Sequence, residues 1–205
     1  MTAASDLDAV TIESLRAAGG LKWTKFGGDV IGAFVAETDF GTAPAVTAAL
    51  HAAVDRAVFG YLPPGLAREL AEACAAWQSS AYGWEVPPER IHPLADVIHG
   101  LEVAIEHFSV PGSAVVLPTP AYMPFFEVPL RLGREIIEVP CLVDGDGRYR
   151  MDLDAIGAAL ADRGNLLILC NPHNPVGRVY ERDELLALAD VVEAHGGSVF
   201  ADEIH

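Results

Sequence analysis

The sequence predicts an α/β protein: a mostly parallel sheet sandwiched by helices, preceded by an N-terminal arm and small-domain segment. Three observations carry that expectation. The chain has 205 residues, 51% of them hydrophobic and 20% charged, which is enough to bury a sizeable core. After Pro87-Pro88, helical periodicity and short Val/Ile/Leu runs alternate strictly, the order that builds a layered parallel sheet. Two of those runs, Ala114 to Leu117 and Leu166 to Cys170, are continuously apolar, as strands are when helices cover both faces.

Taken in order, the stretch from Lys22 to Thr42 places Gly27, Gly28, Gly32 and Gly41 around a short apolar run, Ile31 to Ala36. It predicts arm, turn and short strand. Pro44 opens a segment to Val58 with Val46, Leu50, Val54 and Val58 at helical spacing, stopped by Gly60. Gly65 to Tyr82 repeats the pattern with Leu66, Leu70, Cys74 and Trp77 on one face. Both are expected as packed helices. The alternating part predicts helices over 96–108, 124–131, 152–161 and 182–194, and strands over 114–117, 135–139, 166–170 and 198–201. The domain reading is residues 1–45 as arm and small-domain segment, then 46–205 as a large domain truncated on its C-terminal side. Asp202-Glu-Ile-His205 stops just after a strand, where such a layer continues into a crossover helix.

Composition excludes several classes. Thirteen Lys plus Arg against 29 Asp plus Glu leave a net charge of −16, a field that repels nucleic acid and anionic membrane surfaces. Cys74, Cys141 and Cys170 are odd in number and lack a CxxC pair, so neither disulfides nor a metal site are indicated and a cytoplasmic location is expected. The N-terminus opens acidic, and no apolar run approaches the ~18 residues of a membrane span. No GxGxxG follows a predicted strand, which argues against a dinucleotide-binding module.

Ligands of open α/β sheets bind beyond the carboxyl ends of strands, and three of these ends are unusual. Pro118-Thr-Pro-Ala-Tyr122 follows Leu117, Asn171-Pro-His-Asn-Pro-Val-Gly177 follows Cys170, and Asp202-Glu-Ile-His205 follows Ala201. Taken singly, each has a structural account: an Asx turn, a packed loop tyrosine, a solvated or capping aspartate. Together they place an aromatic plate, a carboxamide on a rigid turn and a carboxylate at the ends of one sheet, and independent turns have no reason to converge.

These segments, with Pro120-Ala-Tyr-Met-Pro-Phe-Phe126, resemble the pyridoxal-phosphate (PLP) enzymes of the fold-type I, class I/II aminotransferase superfamily. Lys22-Trp23, Phe34-Val-Ala-Glu-Thr-Asp-Phe40 and Phe59-Gly-Tyr61 make the chain most similar to the cystathionine β-lyase-like branch, from about Lys22 to His205. The resemblance implies pyridoxal 5'-phosphate as cofactor, an electron sink whose ring nitrogen stays protonated beside an anion. Asp202 matches that anion, Asn174 the donor to the ring 3′-oxygen and Tyr122 the aromatic that stacks on the ring. His205 stands where relatives often carry a Tyr that donates to the same oxygen; a loop histidine without a role is the alternative.

The amides of Val97 and Ile98, opening a helix, match the phosphate site. Relatives have Gly, Ser or Thr where this chain has Asp96, whose carboxylate is repelled by a phosphate unless it points back as an N-cap. Tyr61 matches a tyrosine that reaches the phosphate of a neighbouring subunit, which implies a homodimer; a Tyr closing a helix after Gly60 is the structural alternative. Glu37-Thr38 and Phe34 depart from the usual Asp-Met and Trp of the substrate side, which leaves substrate identity open.

Covalent PLP catalysis needs a Schiff-base lysine, yet the chain holds only Lys22 and Lys25, both in the arm. No catalytic residue is therefore assigned. The expectation is that these 205 residues are roughly the N-terminal half of a longer enzyme, inactive alone and binding PLP weakly at best. The activity implied is carbon–sulfur β-lysis of cystathionine or another cysteine conjugate: a proton leaves Cα, the thiol leaves Cβ, and pyruvate and ammonia follow. A PLP-dependent aminotransferase shares every residue named. A non-catalytic remnant or partner subunit that lends Tyr61 and its arm to another chain is the remaining reading.

Overall fold

The computed structural model describes residues 9–28 and 30–205. The chain divides into two compact units, Met1–Pro64 and Gly65–His205, with the break after Pro64 rather than at the 45/46 boundary read from the sequence.

In the first unit, α1 (Ile12–Ala18) was not anticipated. It is closed by a capping box between Thr11 and Ser14 and by Gly19 at φ 76°, the left-handed conformation that glycine adopts without penalty. Then come α2 (Leu21–Thr24) and α3 (Pro44–Asp55), the latter with Pro at its first turn, where the missing N–H costs nothing. The apolar run Ile31 to Ala36 is not a strand. Among the described residues no segment pairs with it, and Ile31 is 81% exposed. What organises this region is Asp39, which accepts from Lys22 Nζ at 2.7 Å and from Trp23 Nε1–H at 2.7 Å. The Lys22 and then the Trp23 hydrogen bond hold its carboxyl below the usual range. α3 buries none of its residues, and Val46, Leu50, Val54 and Val58 are exposed. The helix forms as its periodicity predicts, but it is not packed.

In the second unit, α4 (Pro64–Tyr82) likewise buries only Ala71, while Leu66, Leu70 and Trp77 stay exposed. The alternating order then follows as expected: α5 (Val97–His107), β1 (Ala114–Thr119), α6 (Pro124–Arg131), β2 (Ile136–Pro140), an unanticipated antiparallel hairpin of β3 (Leu142–Val143) and β4 (Tyr149–Arg150), α7 (Leu153–Asp162), β5 (Gly164–Cys170), α8 (Arg182–Ala194) and β6 (Ser198–Asp202). The main sheet is parallel throughout, in the order β2-β1-β5-β6.

Both faces of the sheet are apolar because successive side chains of a strand point to opposite sides. Val115 and Leu117 of β1, with Leu166, Ile168 and Cys170 of β5, pack with Leu101, Ile105, Phe125 and Val128 from α5 and α6. Val116 and Leu167, the residues between them, pack with Ile156, Ala159, Leu160, Leu188 and Val192 from α7 and α8. The start of β5 admits only glycine: a Cβ on Gly164 would lie 2.5 Å from Val116 Cγ2 and 2.7 Å from the Ala159 carbonyl oxygen. Arg134, nearly buried, donates to the carbonyls of Ile105, Val110 and Ser113, tying the end of α5 to the turn before β1. Among the described residues no helix is long and apolar enough to cross a membrane.

Candidate functional site

Because the strands are parallel, Thr119, Cys170 and Asp202 end β1, β5 and β6 at one edge. β1 continues into α6 on one face, whereas β5 continues into α8 on the other. Adjacent strands whose connections leave to opposite faces open a crevice, the place where α/β sheets bind ligands. The loops after β1 and β5 flank it.

The turn after β5 is built tightly. Asn171 N–H donates to the Asp202 carbonyl at 2.9 Å, and Asn171 Oδ1 accepts from Tyr180 N–H at 3.0 Å. Gly177 N–H returns to the His173 carbonyl at 2.7 Å, and the Asn174 amide donates to Cys170 Sγ at 3.4 Å. Gly177 takes φ 68°, which a side chain would resist. The half-buried Asn174 carboxamide has no hydrogen-bond partner among the described residues. On the other flank, Tyr122 is 39% exposed and meets Phe125 edge-on, with ring centroids 5.6 Å apart.

Asp202 is 4% exposed. Its Oδ1 accepts from Ile204 N–H at 3.0 Å, and among the described residues no Lys, Arg or His pairs with it. Burying a carboxylate costs several kcal/mol unless an opposite charge or donors compensate, so the residue suits a cationic N–H brought by a ligand. Its register partner Cys170 has its thiol pushed up, by burial first and by Asp202 as well.

A short turn joins α5 to β1, so α5 runs back along the sheet and its N-terminus lies at the same edge. Asp96 points back as the N-cap: its carboxylate accepts from His99 N–H at 2.7 Å. That leaves the half-buried Val97 and Ile98 amides without intrahelical acceptors, beside a cavity of about 390 Å³ lined by Ala95, Asp96, Ile98, His99 and Glu102. Two helix amides are thus left as donors, and Asp96 takes the N-cap orientation. Together with Asp202, Asn174 and Tyr122, this donor set fits pyridoxal phosphate, which needs an anion at its ring nitrogen, a donor at its 3′-oxygen and N–H groups at its phosphate.

Tyr122, Asn174, Asp202 and the amides of Val97 and Ile98 therefore lie at one edge of the second unit. His205 is exposed and makes no side-chain hydrogen bond among the described residues. Tyr61 belongs to the first unit, with its side chain fully exposed. Sequence reasoning gave no role to His173 and Tyr180, both 4% exposed and joined at 2.8 Å. Burial pushes the His173 ring below, and the Tyr180 hydroxyl above, their ordinary values. His173 lies inside the Asn-Pro-His-Asn-Pro motif, but nothing in its spacing marks it as buried.

A parallel sheet that splays at its centre carries a buried carboxylate, a half-buried carboxamide, an aromatic ring and helix amides at one edge, the donor set an α/β layer would offer an anionic ligand. The chain belongs to the aminotransferase class I and II family, whose model matches residues 31–205. It is 40% identical over 194 residues to a cystathionine beta-lyase of Corynebacterium glutamicum, covering 95% of this chain and 50% of that protein. It is 37% identical over 191 residues to the cystathionine beta-lyase PatB of Bacillus subtilis, covering 90% and 49%. The crystal structure of cystalysin from Treponema denticola, which contains a pyridoxal 5'-phosphate cofactor, superposes with a TM-score of 0.84 at 31% identity, covering 96% of this chain and 51% of that one. The chain spans about half the length of the curated relatives it matches.

Proposed function

We propose that this chain supplies the pyridoxal-phosphate-binding part of a carbon–sulfur β-lyase that acts on cystathionine or another cysteine conjugate. The observation that carries the reading is Asp202, a buried carboxylate at a strand end with no cation of its own. It is supported by the similarity to two cystathionine beta-lyases. When bound, the cofactor supplies an electron sink for a carbanion at the substrate Cα.

Each residue then has a task. Asp202 holds the proton on the cofactor's ring nitrogen. Asn174 donates from its carboxamide to the 3′-oxygen, with His205 as a second donor to the same atom, and Tyr122 covers one face of the ring and excludes water from it. Val97 and Ile98 N–H bind the phosphate, while Asp96, engaged with His99, stays off it. Tyr61 reaches the phosphate of a second copy in a homodimer. Lys22 is paired with Asp39, and Lys25 Nζ lies 4.4 Å from the Phe34 ring centroid; neither is assigned the covalent link. The 205 residues alone are expected to release no pyruvate. An aminotransferase is the second reading, favoured by the family itself.

The test is made on the protein as its gene encodes it. Cystathionine should yield pyruvate and a free thiol without an added keto acid, and Asp202→Asn should lower that rate by about a hundredfold or more, the order for a preorganised electrostatic partner. Keto-acid-dependent amino transfer without thiol release overturns the lyase reading, and full activity in Asp202→Asn overturns the site.

A further inference from the structure

The two flanks of the crevice are not held together by the sheet. Pairing between β1 and β5 stops at Val116↔Leu167. β1 goes on pairing with β2 as far as Thr119↔Pro140, and β5 with β6 as far as Cys170↔Asp202. The strands therefore part just where they lead into the loops of Tyr122 and Asn174. Among the described residues, one hydrogen bond joins residues 118–123 to residues 171–177: His173 Nε2 lies 2.9 Å from the Pro120 carbonyl oxygen. Beneath the imidazole the gap narrows to a void of about 10 Å³, room for a single water at most.

The partners dictate the tautomer. A carbonyl oxygen only accepts, so Nε2 carries the hydrogen, and in the neutral ring that burial favours Nδ1 is the acceptor facing the Tyr180 hydroxyl at 2.8 Å. Tyr180 is itself braced: its backbone N–H donates to Asn171 Oδ1, and the Arg178 guanidinium, paired with Glu184 Oε2 at 2.5 Å, lies over its ring at 4.7 Å. Pro120 precedes Tyr122 by two residues, and His173 is adjacent to Asn174.

We infer that His173 is a positioning residue for the cofactor: its neutral imidazole spans the crevice and fixes the loop of Tyr122 against the turn of Asn174, so one side chain sets both the ring cover and the 3′-oxygen donor. The inference rests on the pyridoxal-phosphate reading above. It extends that site to a residue that touches neither cofactor nor substrate.

Two substitutions separate the bonds of the imidazole. His173→Asn keeps an acceptor near the Tyr180 hydroxyl and loses the donor to Pro120, whereas His173→Gln restores a donor at the Nε2 position. On the protein as its gene encodes it, the readouts are the dissociation constant of PLP from the cofactor-free form, the visible circular dichroism of the bound cofactor, which reports the tilt of its ring, and the cofactor-free melting temperature. His173→Asn should weaken PLP about tenfold, the order of one buried hydrogen bond, and alter the dichroism; His173→Gln should recover both.

A purely structural histidine lowers the melting temperature alone. Affinity within about twofold and unchanged dichroism in His173→Asn overturn the inference, as does a His173→Gln protein no better than His173→Asn. Should His173→Asn fail to fold, Tyr180→Phe removes the hydroxyl that braces Nδ1 and should weaken PLP about threefold; unaltered binding there overturns the inference too. A wild-type protein that takes up no PLP overturns the cofactor reading first, before any variant is made.

Discussion

α3 and α7 are both short, alanine-rich and apolar, yet α7 buries Ile156, Gly157, Ala159 and Leu160 whereas α3 buries nothing. The same contrast separates the two units that contain them. Residues 65–205 hold two dry clusters on either face of a sheet, while residues 9–64 are organised by polar contacts around Asp39. An apolar stripe states that a helix has a face to bury. It does not state what covers that face, because the partner comes from elsewhere in the fold.

The largest effect that sharpens this contrast is expected from truncating the core. Leu167→Ala removes a side chain with no exposure and should destabilise by about 2–5 kcal/mol. Leu50→Ala, on the exposed stripe of α3, should cost under about 0.5 kcal/mol. Denaturant unfolding measures both, and equal costs would show that the stripe of α3 is covered in solution. Next comes Gly164→Ala, which forces a methyl against Val116 and the Ala159 carbonyl and should cost about 1–3 kcal/mol. Gly100→Ala, where a Cβ would meet Leu94 and Phe200 at 3.6 and 3.7 Å, should be neutral or stabilising by up to about 1 kcal/mol in its helix.

The smallest effect is expected from pH, where the two units should respond in different windows. His173 is held neutral by burial and by the nearby Arg178 charge, against the Tyr180 hydroxyl and the Pro120 carbonyl. With its folded pKa below the unfolded value of about 6.5, its contribution is complete above that pH and declines as pH falls below it. Asp39, held low by Lys22 and Trp23, contributes above the ordinary carboxyl range of about 4 and loses that contribution only below it. Amide hydrogen-exchange protection, taken relative to the intrinsic rate at each pH and followed separately over 9–64 and 65–205, should therefore fall first in the second region on acidification. Protection that falls in both at one pH breaks the contrast.

Much of the fold was legible because the alternation from Asp96 onwards is local. The continuously apolar strands and the helical ranges opening at Asp96 and Asp152 state their own geometry. The run Ile31 to Ala36 misled because a strand exists only where another strand accepts its hydrogen bonds, and none does among the described residues. The β3–β4 hairpin and α1 were missed for the converse reason: two-residue strands and a seven-residue helix carry too little periodicity to read. At the site, the motif residues were legible by type, and the doubt over Asp96 turned on which way one side chain points.

By itself the sequence determined the α/β order and which residue types sit after β1, β5 and β6, since spacing, periodicity and turn chemistry are properties of neighbours along the chain. Only the tertiary structure decided that β1 and β5 part beyond Val116 and Leu167, that Asp202 is buried without a cation, and that His173 closes the gap to Pro120 across 53 positions of sequence. Burial and cross-strand hydrogen bonding depend on which distant segments meet, and no local pattern contains that information.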